Sequence, residues 1–117
     1  MREVRPIIDE HEKEALSARC GVRYKRSMIM YAAFEKEIPL AFSCFQYSDH
    51  IADFYVVAST DESKNDPLAS MRLALLGALT FALQGGCERF HFNKNFPKGL
   101  LESLGLHQTD KGFYEFW

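Results

Sequence analysis

Apolar positions follow two rhythms along this chain, and the switch between them marks its architecture. Ser27 to Phe34 and Ile38 to Tyr47 are β-rich runs parted by Glu35-Lys36-Glu37, which predicts a hairpin with a charged tip. Pro39 stands near the start of the second run, where a missing ladder donor is tolerable. After the turn Ser48-Asp49-His50 comes Ile51 to Ser59, an almost unbroken apolar stretch. It predicts a third antiparallel strand, central and covered on both faces. The period then lengthens. Asp66 as N-cap and Pro67 at the first helical position open a helix running to Gln84, roughly 27 Å long at 1.5 Å per residue. It is apolar nearly all round, apart from a narrow stripe of Ser70, Gly77, Thr80 and Gln84, so burial on most sides is expected. Gly77 costs such a helix about 1 kcal/mol relative to alanine, which points to close packing there. Gly85-Gly86 then leads into a strand from Cys87 to Phe92. Strand, helix and strand make a βαβ unit whose two strands should lie parallel.

The flanks are less regular. Pro6 to Arg19 predicts a first helix with acids in its early part, Arg19 near its end and Gly21 just beyond it. Arg23-Tyr24-Lys25-Arg26 reads as a solvated basic connector. Past the loop Asn93 to Pro97, a short helix near Lys98 to Leu104 is closed by Gly105. Leu106 to Trp117 can turn at Thr109 to Gly112 and return as a closing strand, Phe113 to Trp117.

Composition narrows the picture. At 117 residues the chain forms one domain over residues 1–117, an N-terminal helix and connector (1–27) followed by the main core (28–117). A net charge of -2 offers no basic footprint, so nucleic acid is not an expected partner. No uninterrupted apolar run reaches roughly 18 residues and charges fall within the first five residues, so neither a membrane span nor a leader is expected. Cys20, Cys44 and Cys87 are odd in number and far apart, which reads as reduced thiols and a cytoplasmic location. The histidines at 11, 50, 91 and 107 have no second ligand type at metal spacing, so no metal is expected. Ten Phe and the terminal cluster Phe113, Tyr114, Phe116 and Trp117 suggest a homodimer through the C-terminal sheet edge.

The element order β-β-β-α-β-α-β resembles the GNAT N-acetyltransferase superfamily from residue 28 to the end. The resemblance rests on the hairpin tip Ala33 to Ile38, the apolar strand Phe54 to Val57 and the glycine turn with its strand, Gln84 to Phe92. Leu100-Leu101-Glu102-Ser103-Leu104-Gly105-Leu106 is similar to the family's helix ending in Leu-Gly-Phe, and Gly112 to Trp117 to its final strand. It implies a GNAT-like mixed α/β fold, N-terminally shortened, with the first strand missing. It also implies an acyl-CoA slot where Ile51–Ser59 and Cys87–Phe92 part. The cofactor-binding residues it places there are Val57, Ala58 and Ser59 on the strand, with Asn65, Leu68, Ala69 and Ser70 at the helix start. As catalytic candidates it implies Asp53 and Tyr55, on the strand that often carries the family's base.

The cofactor loop departs from that pattern. No glycine remains between Asn65 and Ser70, Pro67 lacks an N–H, and Asp61, Glu62 and Asp66 crowd a helix end that would otherwise attract anions. Acetyl-CoA or another acyl-CoA is therefore expected to bind weakly or not at all. Leu101 replaces the tyrosine that often protonates the leaving thiolate. Two functions follow: an N-acyltransferase acting on a small-molecule amine, or a non-catalytic GNAT-like domain that binds a ligand or a protein. A third, a structural module dimerising through aromatic strands, would lack a pocket between the parallel strands. His91, on an apolar strand, is expected in the core, with Asp53 facing solvent or pairing with Arg89.

Overall fold

The computed structural model describes residues 2–63, 65–93 and 96–116. Trp117, expected in the closing strand, lies outside them, as do Lys64 and the loop residues Lys94 and Asn95. The first element corrects the expected start of the chain. Arg2–Ile7 is a strand, β1, paired antiparallel with Ile29–Glu35 (β2), so the strand expected to be missing is present. The helix expected from Pro6 begins only at Glu10 (α1, Glu10–Arg19). Charge concealed the strand: β1 lies at the edge of the sheet, where Arg2, Glu3, Arg5 and Pro6 are tolerated. Asp9 caps α1, its carboxylate accepting from the His11 N–H at 3.2 Å. The other end matches expectation. Gly21 has φ +69°, and the Val22 N–H donates to Ser17 O at 2.8 Å, a Schellman closure.

Then follow Ile38–Ser48 (β3), Ile51–Ser59 (β4), Pro67–Gln84 (α2), Arg89–Phe92 (β5), Lys98–Ser103 (α3), Leu106–Gln108 (β6) and Tyr114–Phe116 (β7). All seven strands join one mixed sheet in the order β1-β2-β3-β4-β5-β7-β6, the expected α/β architecture. β4 is central and its pairing with β5 is parallel, as the βαβ reading required; the other pairings are antiparallel.

Two apolar layers hold the sheet. On one face, Phe45, Phe54, Phe90 and Phe92 meet Leu75 and Leu79 of α2 and Leu100 and Leu101 of α3. On the other, Ile7, Met30, Phe42 and Cys44 lie under Leu16 of α1. Each such side chain, fully buried, contributes about 1.5–3 kcal/mol. The expectation that α2 is covered on most sides needs correction. Ser70, Ala74, Leu75, Ala78, Leu79 and Ala82 are buried, but Leu68, Leu76, Phe81 and Leu83 face outward. By length and composition alone α2 could cross a membrane, yet only a third of it is buried here, along the face that packs on the sheet. Gly77 does mark a close approach, since a Cβ there would stand 2.4 Å from Val4 Cγ1.

Candidate functional site

The site begins where two strands part company. β4 and β5 pair from Ile51↔Arg89 to Phe54↔Phe92, and β5 ends there while β4 continues to Ser59. A bulge falls at the same point: Phe45 faces Phe54 and Cys44 faces Val56, so Tyr55 is the extra residue. Beyond it Tyr55 to Ser59 are only half-buried, which corrects the expectation of a strand covered on both faces throughout. Coverage fails there because the neighbouring strand has stopped. Asn93 laces the base of this fork. Its backbone N–H donates to Phe54 O at 3.3 Å, and its side-chain amide donates to Tyr55 O at 2.6 Å.

The start of α2 faces less negative charge than the sequence suggested. Asp66 precedes the helix but makes no side-chain capping bond; it pairs instead with Arg2 at 3.5 Å. Glu62 is likewise held by Arg19. The Ser70 N–H is used in the first helical bond, to Asp66 O at 3.3 Å, and Ser70 Oγ donates to the same oxygen at 3.2 Å. That leaves the N–H groups of Leu68 and Ala69 without helical partners, as the first turn of any helix does. Leu68 and Ala69 also line an apolar cleft of about 400 Å³ between α2 and α3, with Arg72 at its edge and Leu100 opposite. Asn65 is exposed in the preceding turn. A strand edge for a pantetheine arm, two free amides and an apolar cleft beside a cation fit the parts of an acyl-CoA.

One pair from before the fork has chemistry. Asp53 and His91 stand opposite each other in the parallel register, and His91 Nδ1 lies 2.8 Å from Asp53 Oδ1. Both side chains are 52% exposed, so His91 is not the core residue expected, and Asp53 pairs with it rather than with Arg89. The alternation Phe90-His91-Phe92 carried that signal, since two buried rings force the residue between them onto the opposite face. In the neutral tautomer that donates Nδ1–H to Asp53, Nε2 of the ring is the atom with a lone pair.

Tyr55 is not brought into this pair. It packs on the α1 side with Lys25 Nζ 4.4 Å from its ring centre, and its hydroxyl is buried without a partner. Burial holds that hydroxyl well above the ordinary tyrosine range. Cys44 is similarly inert, its thiol pushed up to about 12 by burial. Among the described residues no group of histidine, cysteine or carboxylate side chains could hold a metal ion.

No family model matches the sequence, and a search of curated proteins finds no match. Solved structures do match, over nearly the whole chain. The ribosomal-protein-S18-alanine N-acetyltransferase from Escherichia coli superposes with a TM-score of 0.69 at 14% identity, covering 99% of this chain and 93% of that one. The PaiA N-acetyltransferase from Thermoplasma acidophilum, solved in complex with coenzyme A, gives 0.70 at 10% identity, covering 100% and 99%. N-acetylglutamate synthase from Neisseria gonorrhoeae, complexed with coenzyme A and N-acetyl-glutamate, gives 0.72 at 8% identity, covering 95% of this chain and 29% of its own.

Proposed function

With the fold of the GNAT N-acetyltransferases as premise, we propose that this chain transfers an acyl group from an acyl-CoA to a small-molecule amine. One observation carries the reading: the Asp53–His91 pair sits a single residue before the β4–β5 fork, and beyond it the edge of β4 left by β5 runs on to Ser59, ahead of the start of α2. A bound acyl-CoA supplies an activated thioester carbonyl. The open edge of Val57 to Ser59 would hold the pantetheine arm, and the amides of Leu68 and Ala69 would supply donors to the pyrophosphate. Binding is weaker than a glycine-rich loop would give, because Pro67 removes one donor and Asp61 adds charge.

His91 Nε2 takes the proton from the amine as its nitrogen bonds to the thioester carbonyl carbon, the C–S bond breaks, and the CoA thiolate leaves to take a proton from solvent. Asp53 holds the Nδ1–H, which fixes the ring and stabilises the imidazolium that forms. Neither Tyr55, whose hydroxyl is buried on the α1 side, nor the apolar Leu101 offers an acid at the fork. That lack favours a second reading, a non-catalytic acyl-CoA-binding domain. Calorimetry with acetyl-CoA and a thiol-release assay over a panel of amines separate the two. The expected result is saturable binding together with thiol release that falls about 10²–10⁴-fold in His91→Ala, with acetyl-CoA affinity unchanged. Binding without release supports the non-catalytic domain, and absence of binding sinks both.

A further inference from the structure

A pocket of about 550 Å³ opens beside His91, between the end of β5, α3 and the β6–β7 loop. Its floor is aromatic: Phe92 meets Phe96 at 5.0 Å and Tyr114 at 5.3 Å between ring centres, both edge to face. Its polar lining is unusual in sign. Lys98 and Gln108 reach it, no described carboxylate does, and Lys98 has no ion-pair partner among the described residues. Arg2, Arg5, Arg19 and Arg89 each pair with a carboxylate, whereas Lys98 shares its lack of a described ion pair with Arg23, Arg26, Lys36 and Lys111; what sets it apart is its place beside this aromatic floor.

We propose that this pocket selects an acceptor carrying a carboxylate as well as its amine, in the manner of an amino acid with an apolar or aromatic side chain. The placement of the amine at His91 rests on the acyltransferase reading; the carboxylate contact with Lys98 does not. A polyamine or other dication would bring positive charge against Lys98, which has no described carboxylate in the pocket lining to offset it. A carboxylate supplies the missing anion through a charge-assisted hydrogen bond. The aromatic floor takes the apolar body of the molecule, and a volume of this size suits a ligand of a few to some tens of heavy atoms.

The test uses the full chain without CoA, titrated with L-phenylalanine and separately with L-phenylalaninamide, followed by amide chemical shifts of Phe96, Lys98 and Gln108. Phenylalanine is expected to shift these amides with an affinity roughly tenfold above that of the amide derivative. Lys98→Gln should erase the preference and Lys98→Arg should restore it, both with unchanged acetyl-CoA binding. Equal response to acid and amide, no response to either, or a loss in Lys98→Gln that falls on acetyl-CoA instead overturns the proposal. Failure of the acyltransferase reading has a different signature: Lys98-dependent phenylalanine shifts with no thiol release from acetyl-CoA.

Discussion

At the scale of residues, the chemistry of this protein depends on which carboxylates are already engaged. Asp66 was expected to cap α2 and repel anions, yet Arg2 draws its side chain aside. Asp66→Asn should therefore leave helix stability nearly unchanged, since no capping bond is lost. Acetyl-CoA affinity should improve by about two- to fivefold, the value of about 0.3–1 kcal/mol for one charge at a helix end, read by calorimetry. Glu10 holds the connector after α1, accepting from Tyr24 Oη at 2.5 Å and from the Ser27 N–H at 3.3 Å. The Tyr24 bond holds the Glu10 carboxyl below its ordinary 4.5, so this stabilisation exists above that pH and is lost as pH falls through the lower native value. The same bond raises the Tyr24 hydroxyl from 10.0 to about 12, so its contribution is present below 10 and is lost as pH climbs toward 12. Tyr24→Phe should remove both windows at once. Urea melts across pH would show the variant and unaltered protein diverging at neutral pH and converging at both extremes.

At the scale of elements, Gly77 decides how closely α2 approaches the sheet. Alanine would gain about 1 kcal/mol of helix propensity in an open helix. Here its Cβ would meet Val4 Cγ1 at 2.4 Å and Tyr31 Cδ2 at 3.3 Å, and the β-branched valine has few other rotamers to adopt. Gly77→Ala should destabilise by about 1–3 kcal/mol, with β1 losing amide protection first, and Val4→Ala in the same chain should recover most of the loss. The two-residue turns at Lys36-Glu37 and Asp49-His50 have positive φ throughout without a glycine. Such hairpin turns match strand twist, and here strand pairing on both sides holds unfavourable residues in them.

At the scale of the whole molecule, the apolar surface lies elsewhere than the C-terminal aromatics suggested. Phe116 meets Phe90 at 5.8 Å and Tyr114 meets Phe92 at 5.3 Å, so those rings pack inward. The outward face of α2 is apolar instead, with Leu68 57%, Leu76 40%, Phe81 39% and Leu83 45% exposed. Self-association through this face is the expected outcome, because Leu68, Leu76 and Leu83 form an exposed apolar row on α2, a helix whose only charged residue is Arg72. Light scattering at tens of micromolar should give about twice 13.5 kDa, and Leu76→Glu should return the mass to that of one chain. A single-chain mass for the unaltered protein rejects the dimer.

What the sequence determined by itself is local. An almost unbroken apolar run placed β4 at Ile51–Ser59, and Asp66-Pro67 with Gly85-Gly86 bracketed α2 at Pro67–Gln84, because apolar runs, helix period and end signals are properties of consecutive residues. From these the parallel β4–β5 pair followed, and with it the fork. Pairings between distant segments were decided by the tertiary structure alone. Asp53 and His91 are 38 residues apart and meet only through the register that α2 imposes on the strands it joins. Arg2 reaches Asp66 only because β1 adds to the sheet edge, and β1 was hidden because an edge strand can carry charges that mask its period. The open pocket at Lys98 was equally invisible. It is lined by residues that folding brings together from β5, α3 and the β6–β7 loop, none of them a described carboxylate.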